Sequence, residues 1–537
     1  MYSVSMQNGS GPRYRGPLWR GLCAAGLLIV VALMLSSCVA SVTGGVRRQG
    51  YAVVALAEAP DALDPTTAST FVGRIVYANM CEKLYDVNSG LHLVPQLAAA
   101  MPKISDGGRT YTIRLRKGIL FNDGTALTAA SVVRTLYRDK TDKLSERASE
   151  LKAVSSVQAI GPLTVRLRLS HPFAPLTSIL ADRSGMVLSP AALRKYGDHF
   201  AQHPVCVGPF SFQSRPSADE INLVRSNYYY DRDKVKLPGI TFRAVPQANV
   251  RAADLRAGDV DVIDRASPQD LSTLSEDPSL RVQAVTSLGY QGITINIGNA
   301  HGATNPPATP DFALARQQQL REAFDLSLNR KAINTVVFDG AYVPDCSPIP
   351  PNSPWAVHIH CTGRNLAKAK ALVRASGVKT PIPITLTVQN NAEGEQLGTI
   401  VQAMAKDAGF AVSVEPSEFA TALAAAKNGK FQSFQVGWSG RLDPDQDISQ
   451  MVLPGSALNY SGMHDPNIIK LVDAARTSTD PAQRRQLYTK LVTSINKKLG
   501  IIYLYHEKYI LGLRKDISGV AFYGDGLIRL KTAQLNH

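Results

Sequence analysis

Short alternating runs of apolar and polar residues punctuate the chain. The stretch 111–116 (Tyr-Thr-Ile-Arg-Leu-Arg) and the stretch 165–169 (Val-Arg-Leu-Arg-Leu) each place every second side chain on one face, the pattern of a half-buried strand. Asp106-Gly107-Gly108 precedes the first run and Asn122-Asp123-Gly124 follows it, both turn signals. The opening run 51–57 and the runs 384–389, 411–415, 431–436 and 501–505 read as further strands. Between them the apolar spacing shifts to the helical period. Helices are expected over 72–86, 129–138, 250–257, 316–328, 330–338, 365–376, 393–408, 418–427, 466–476 and 481–496. Thr128 stands where an N-cap belongs, and Asp480 precedes Pro481, a cap followed by proline at the first helical position. Gly377 and Gly409 fall where a helix end needs positive φ. Helices alternating with strands predict an α/β fold. There is no internal repeat and no low-complexity block.

Length and composition refine this picture. A chain of 537 residues exceeds what one core can serve, so two or three lobes are expected. The composition, 45% hydrophobic and 19% charged, is that of a globular protein. The net charge is +15, to which residues 1–38 contribute three arginines and no acid. The basic residues are dispersed, with no Lys/Arg block of the kind that marks a nucleic-acid arm. No nucleic-acid partner is expected.

The N-terminus carries an address. Arg13, Arg15 and Arg20 precede an apolar run of about 14 residues, 22–35, shorter than the roughly 20 needed to span a bilayer. Leu35-Ser36-Ser37-Cys38 then resembles a bacterial lipobox. By that resemblance 1–38 is a lipoprotein signal peptide, and Cys38 becomes the acylated first residue, with 39–50 as a tether. More than one acyl chain makes such an anchor durable. The expected location is the outer face of the bacterial cell membrane.

Cys81, Cys206, Cys346 and Cys361 remain in the exported part, an even number in a compartment that permits disulfides. A Pro-rich loop separates Cys346 from Cys361, which favours a bridge between them. Cys81 and Cys206 pair by elimination. His358 and His360 beside Cys361 and Cys346 offer metal-binding atoms. No acidic partner and no CxxC pair accompanies them, so the bridge with two surface histidines is preferred. No metal and no cofactor is expected.

A series of motifs points to a family. Leu93-Val-Pro95-Gln-Leu97, Asp106-Gly107 through Arg116, and Phe121-Asn-Asp123-Gly124 through Thr128-Ala129 form its longest stretch. Leu63-Asp64-Pro65, Val207-Gly208-Pro209-Phe210, Asn227-Tyr228-Tyr229, Leu255 through Asp261, Leu320 through Arg330, and Gly437-Trp438 with Asp443-Pro444-Asp445 follow in order. Together they resemble the family 5 extracellular solute-binding proteins, the dipeptide- and oligopeptide-binding lipoproteins of ABC importers. The resemblance spans about 50–510. It implies a bilobed periplasmic-binding-protein-like fold of type II, with an extra subdomain and a hinge. Lobe I would comprise 39–76, 205–286 and 508–537; the extra subdomain 77–204; lobe II 287–507. The implied partners are short peptides as ligand, two permease subunits with their cytoplasmic ATPases, and the membrane through Cys38. The receptor is expected to be a monomer.

Peptide capture needs an anion for the amine, a cation for the carboxylate and open backbone edges between. In peptide-binding relatives an aspartate shortly after Gly-Trp meets the ligand's amine. Arg441 stands near that position here, so Asp443 is the candidate amine anchor only if the loop is one residue shorter. Arg441 is then a candidate for a carboxylate, through its planar guanidinium; the alternative is a salt bridge to Asp443 or Asp445. Trp438, beside Gly437, offers a flat wall. Ser69, Thr70 and Phe71 align with a ligand-facing loop, and Tyr290 and Asn296 flank the expected hinge crossing. Other solutes on the same fold (haem, a metal chelate, a sugar, an opine-like acid) remain open, Arg441 favouring an acidic one. An adhesive surface lipoprotein is a further alternative. The chain lacks a Gly-x-Ser-x-Gly elbow, a P-loop, a Rossmann glycine fingerprint and a His-Glu-x-x-His helix, and no catalytic residue can be named.

Overall fold

A computed structural model describes residues 48–536; the signal segment and Cys38 lie outside the described residues. Two large mixed sheets organise them. In the first, Ala52–Leu56 runs parallel to Gly239–Ala244 on one side and Val262–Ile263 on the other. Glu220–Arg225 and Phe210–Ser217 extend one edge, and Lys508–Arg514 and Leu280–Thr286 the other, all antiparallel. Ala52–Leu56 is buried throughout because both its faces are covered. Ala52, Val54 and Leu56 enter one apolar cluster, Val53 and Ala55 another on the opposite face, as a side-chain period of two requires.

The second sheet orders Val343–Pro344, Ile501–His506, Tyr290–Ile295, Ser433–Trp438, Ile382–Gln389 and Phe410–Ser417. The helices Gln318–Ser327, Arg330–Phe338, Leu366–Ala375 and Ala392–Lys406 share one apolar cluster with it. Pro444–Val452, Pro466–Thr477 and Pro481–Lys498 share another. A smaller antiparallel sheet of Lys103–Ser105, Thr110–Arg114, Thr164–Leu169 and Val154–Gly161 packs with the helix Ala129–Thr141. Thr128 caps that helix in a reciprocal capping box with Ser131.

The chain passes from the first large sheet to the second through 287–289 and returns through Glu507. These crossings touch: the Ser287 amide donates to the Glu507 carbonyl at 2.9 Å. No helix among the described residues is long and apolar enough to cross a membrane.

Most expected elements are present, with three differences. The helix expected over 72–86 is Phe71–Met80. Cys81 leaves it extended, bonded to Cys206, and Tyr85–Val87 is a strand. The helix expected over 316–328 breaks at Gln317 into Ala313–Arg316 and Gln318–Ser327. The strand expected over 431–436 is Ser433–Trp438, so Trp438 closes a strand. Asp480 caps its helix through Ala482 and Gln483, and Gly377 and Gly409 have φ of 68° and 100°.

Candidate functional site

Between the two large sheets lies a cavity of about 350 Å³. Phe71, Arg265 and Tyr509 line it from the first sheet's side, Ser287 and Glu507 from the crossings. Gln291, Gln389, Glu393 and the run Gln435–Ser439 line it from the second. One feature of the sheet opens backbone toward this space. Ser433–Trp438 pairs along its whole length with Tyr290–Ile295. On its other side it pairs with Ile382–Gln389 only at Leu386↔Ser433 and Thr387↔Phe434. Beyond Phe434 that edge has no strand beside it among the described residues. A second cavity of about 320 Å³ shares Phe419, Val436, Gly437, Trp438 and Ser439 with the first, and Tyr290, Leu423, Met451, Leu458 and Ile501 make its wall apolar.

The turn after Trp438 is held tightly. Gly437 has no room for a side chain, since a Cβ there would meet the Tyr290 carbonyl at 2.2 Å. The Trp438 indole donates to Asp447 at 3.0 Å. Burial pushes the Asp447 carboxyl well above the usual range, although Arg441 and the indole favour its charged form. Arg441 lies with its guanidinium 4.7 Å over the Trp438 ring and donates to Ser439 Oγ and the Gly440 carbonyl at 3.2 and 2.8 Å. The expected alternative of a salt bridge from Arg441 to Asp443 or Asp445 is not formed.

Asp443 and Asp445 sit elsewhere. Asp443 is 1% exposed and caps Pro444–Val452. Its two oxygens accept from Arg484 at 2.9 and 3.0 Å, and Tyr488 Oη donates to it at 3.2 Å. Asp445 is buried against Arg476, with both oxygens engaged at 3.1 Å. Neither lines the cavity, and both hold the turn through these pairs. Asn296 is also structural: fully buried, its amide donates to the carbonyls of Asn299, Gly429 and Phe431 and accepts from the Asn299 amide. The Ser69 and Thr70 hydroxyls both donate to Asp61 at 2.7 Å. Those bonds hold the Asp61 carboxyl down at about 2 against the opposing effect of burial.

The structure therefore brings Phe71, Gly437 and Trp438 to the first cavity and Gly437, Trp438 and Tyr290 to the second. Arg441 lines neither cavity but touches the lining residues Trp438 and Ser439. Cys346 is bonded to Cys361, and Cys81 to Cys206. With both thiols of the 346–361 loop oxidised and His358 and His360 exposed, no thiolate is left for a metal. Sequence reasoning missed Arg265, Gln291, Glu393 and Glu507. The only signal for Glu507 is that a lone acid ends the apolar run Ile501–His506.

Comparisons with known proteins agree with this architecture. Residues 92–459 match the family model described as "Bacterial extracellular solute-binding proteins, family 5 Middle". The glutathione-binding protein GsiB of Pectobacterium atrosepticum is 26% identical over 503 residues, covering 90% of this chain and 94% of that protein. The ABC transporter substrate-binding protein CtaP of Listeria monocytogenes superposes with a TM-score of 0.81 at 21% identity, covering 91% of this chain and all of that one. The periplasmic binding protein DppA of Helicobacter pylori, in complex with the peptide STSA, does so with a TM-score of 0.75 at 21% identity, covering 91% and 98%. The fold shared with these neighbours is the bilobed one of ABC substrate-binding proteins.

Proposed function

The chain belongs to the bacterial extracellular solute-binding proteins of family 5, and on that premise we propose that it captures small peptides outside the membrane and delivers them to an ABC import permease. The observation that carries this reading is the open strand edge at Gln435–Trp438. A peptide lying along it meets unpaired backbone donors and acceptors whatever its side chains, and the adjoining apolar cavity accepts one of those side chains. Lobe I, taken as 39–76, 205–286 and 508–537 with the subdomain 77–204, supplies Phe71, Arg265 and Tyr509. Lobe II, 287–507, supplies the strand edge. A ligand touching both favours the closed arrangement by its differential affinity. The closed monomer docks on two permease subunits, whose ATPases supply the energy, and no bond of the ligand is broken. Cys38, acylated, holds the receptor at the membrane.

Arg441 favours a second reading on the same fold, an acidic solute gripped by its guanidinium, because it forms no salt bridge among the described residues, although Asp182, Glu150 and Asp447 act on it electrostatically. Thermal unfolding of residues 39–537 lacking the anchor cysteine, refolded to strip carried ligand, separates the two. Pools of two- to five-residue peptides are added first, then haem, sugars and acidic metabolites. A ligand at about 100 times its Kd adds roughly 2.7 kcal/mol. A shift with peptides upholds the proposal; a shift only with another class transfers the site to that class.

A further inference from the structure

We propose that the positive group of the ligand, the α-ammonium if it is a peptide, is held by Glu393 and Glu507, not by the aspartates that follow Gly437-Trp438. This rests on the peptide reading above and adds the polarity with which the ligand lies.

The aspartates of the turn are committed: Asp443 to Arg484, Asp445 to Arg476, and Asp447 to the Trp438 indole. The acids that line the cavity are Glu393 and Glu507. Neither forms a salt bridge among the described residues. The cation lining the same space is Arg265, which pairs with its own neighbour Asp264 at 3.1 Å and reaches Glu58 at 3.6 Å. Glu507 accepts one bond, from Gln291 Nε2 at 2.8 Å, through Oε1. Gln291 Oε1 in turn accepts from Gln435 Nε2 at 3.3 Å. This relay turns the Gln291 amide so that it can only donate to Glu507. The second oxygen, Oε2, is left for a donor from the cavity. Glu393 lies in the first turn of Ala392–Lys406 and lines the cavity as an exposed side chain.

The electrostatics run the same way. Burial raises the Glu507 carboxyl and the charge of Glu393 raises it further, while the Gln291 bond and the charge of Arg265 oppose this. Burial raises Glu393 as well. Glu393 is exposed and Glu507 half-buried, and a cation between two acids that line one cavity favours the charged form of each. An ammonium with three donors meets that need. The placement also couples binding to closure. Glu507 is the return crossing itself, and its carbonyl takes the Ser287 amide of the other crossing. A cation seated there bears on both connections between the lobes. The ligand's anionic end is then left to Arg441, whose guanidinium lies over the lining residue Trp438.

The test uses the stripped 39–537 protein, the two- to five-residue peptide pools, and the same pools N-acetylated or C-amidated. A lost charge-assisted hydrogen bond costs about a factor of ten or more. N-acetylation should therefore weaken binding to the wild type at least tenfold. Glu507→Gln and Glu393→Gln should each weaken free-amine and C-amidated peptides by about the same factor while leaving N-acetylated ones within about twofold. Both variants keep the shape of the side chain, and unfolding without ligand verifies that they fold. Variants that bind free-amine peptides as tightly as the wild type, or that lose acetylated and free peptides alike, overturn this inference alone. A wild type that no peptide pool stabilises overturns the peptide reading and the inference with it.

Discussion

Replacing Asp443 by alanine tests whether this residue belongs to the ligand or to the fold. Asp443 is 1% exposed and Arg484 4%. The guanidinium also donates to the Ala475 carbonyl at 2.8 Å and lies 4.6 Å from the Trp355 ring centre. It therefore cannot follow its lost partner into water without unpacking helix Pro481–Lys498. Breaking a buried pair by removing one partner costs about 3–5 kcal/mol, because the other charge stays buried and unpaired. Loss of the N-cap bond from Asp443 to the Asp445 amide, 3.0 Å long, adds about 1 kcal/mol. Asp443→Ala should thus destabilise by about 4–6 kcal/mol. Urea unfolding followed by tryptophan fluorescence reads it, since Trp355 sits over the broken pair. Asp443→Ala with Arg484→Met removes both charges and should recover much of the loss. Any residual peptide binding should fall equally for free and N-acetylated peptides. A single variant within about 0.5 kcal/mol of the wild type, as at an ordinary surface site, refutes the reasoning. So does selective loss of free-amine peptides, which would return Asp443 to the amine role.

Three further outcomes are expected. The Asp139 carboxyl is pushed up to about 8, by burial first and by the charge of Asp64, against the Thr66 hydroxyl that donates to it at 2.6 Å. The native state then keeps a proton that the unfolded chain releases near pH 4. Stability should fall as pH rises from about 4 to 8 and level above, and Asp139→Asn should flatten that slope in thermal unfolding; an unchanged slope refutes it. The disulfides should contribute unequally in paired Cys→Ser variants. Cys346–Cys361 closes a separation of 15 residues and Cys81–Cys206 one of 125, for which chain entropy gives about 3 and nearly 5 kcal/mol; equal losses in urea unfolding refute it. Cys38→Ser should move the exported protein from the membrane fraction to the aqueous one, and retention in the membrane removes Cys38 as the anchor.

What could be read from the sequence was local. Helices announced by a cap and a proline, such as the one after Asp480, fall where expected because the signal and its effect lie within one turn. The helix over 72–86 ran too far because Ile75, Val76, Met80 and Leu84 keep helical spacing across a break made by Cys81, whose bond to Cys206 is not a local event. Trp438, Gly437 and Phe71, which line the cavity, lie in or beside short motifs and so stand out in the sequence. Arg265, Glu393 and Glu507 carry no motif; three distant segments bring them to one cavity. The pairing of Asp443 could not be read for the same reason, since its partner Arg484 lies 41 positions away.

The aspartates after Gly437-Trp438 and the glutamates of the cavity then have complementary tasks. Arg476 and Arg484 fasten the turn from one side. From the other, the turn rests directly on the first crossing: a Cβ on Gly440, whose φ is +78°, would lie 2.2 Å from the Leu288 carbonyl carbon, and one on Gly289 would lie 2.1 Å from the Trp438 carbonyl oxygen. The wall that Trp438 offers is therefore rigid and joined to the hinge. A side chain so fastened makes a poor partner for ligands of varied length, because it cannot adjust. Glu507 lines the cavity from the crossing and Glu393, exposed, lines it from a helix start, where a ligand's cation can reach both.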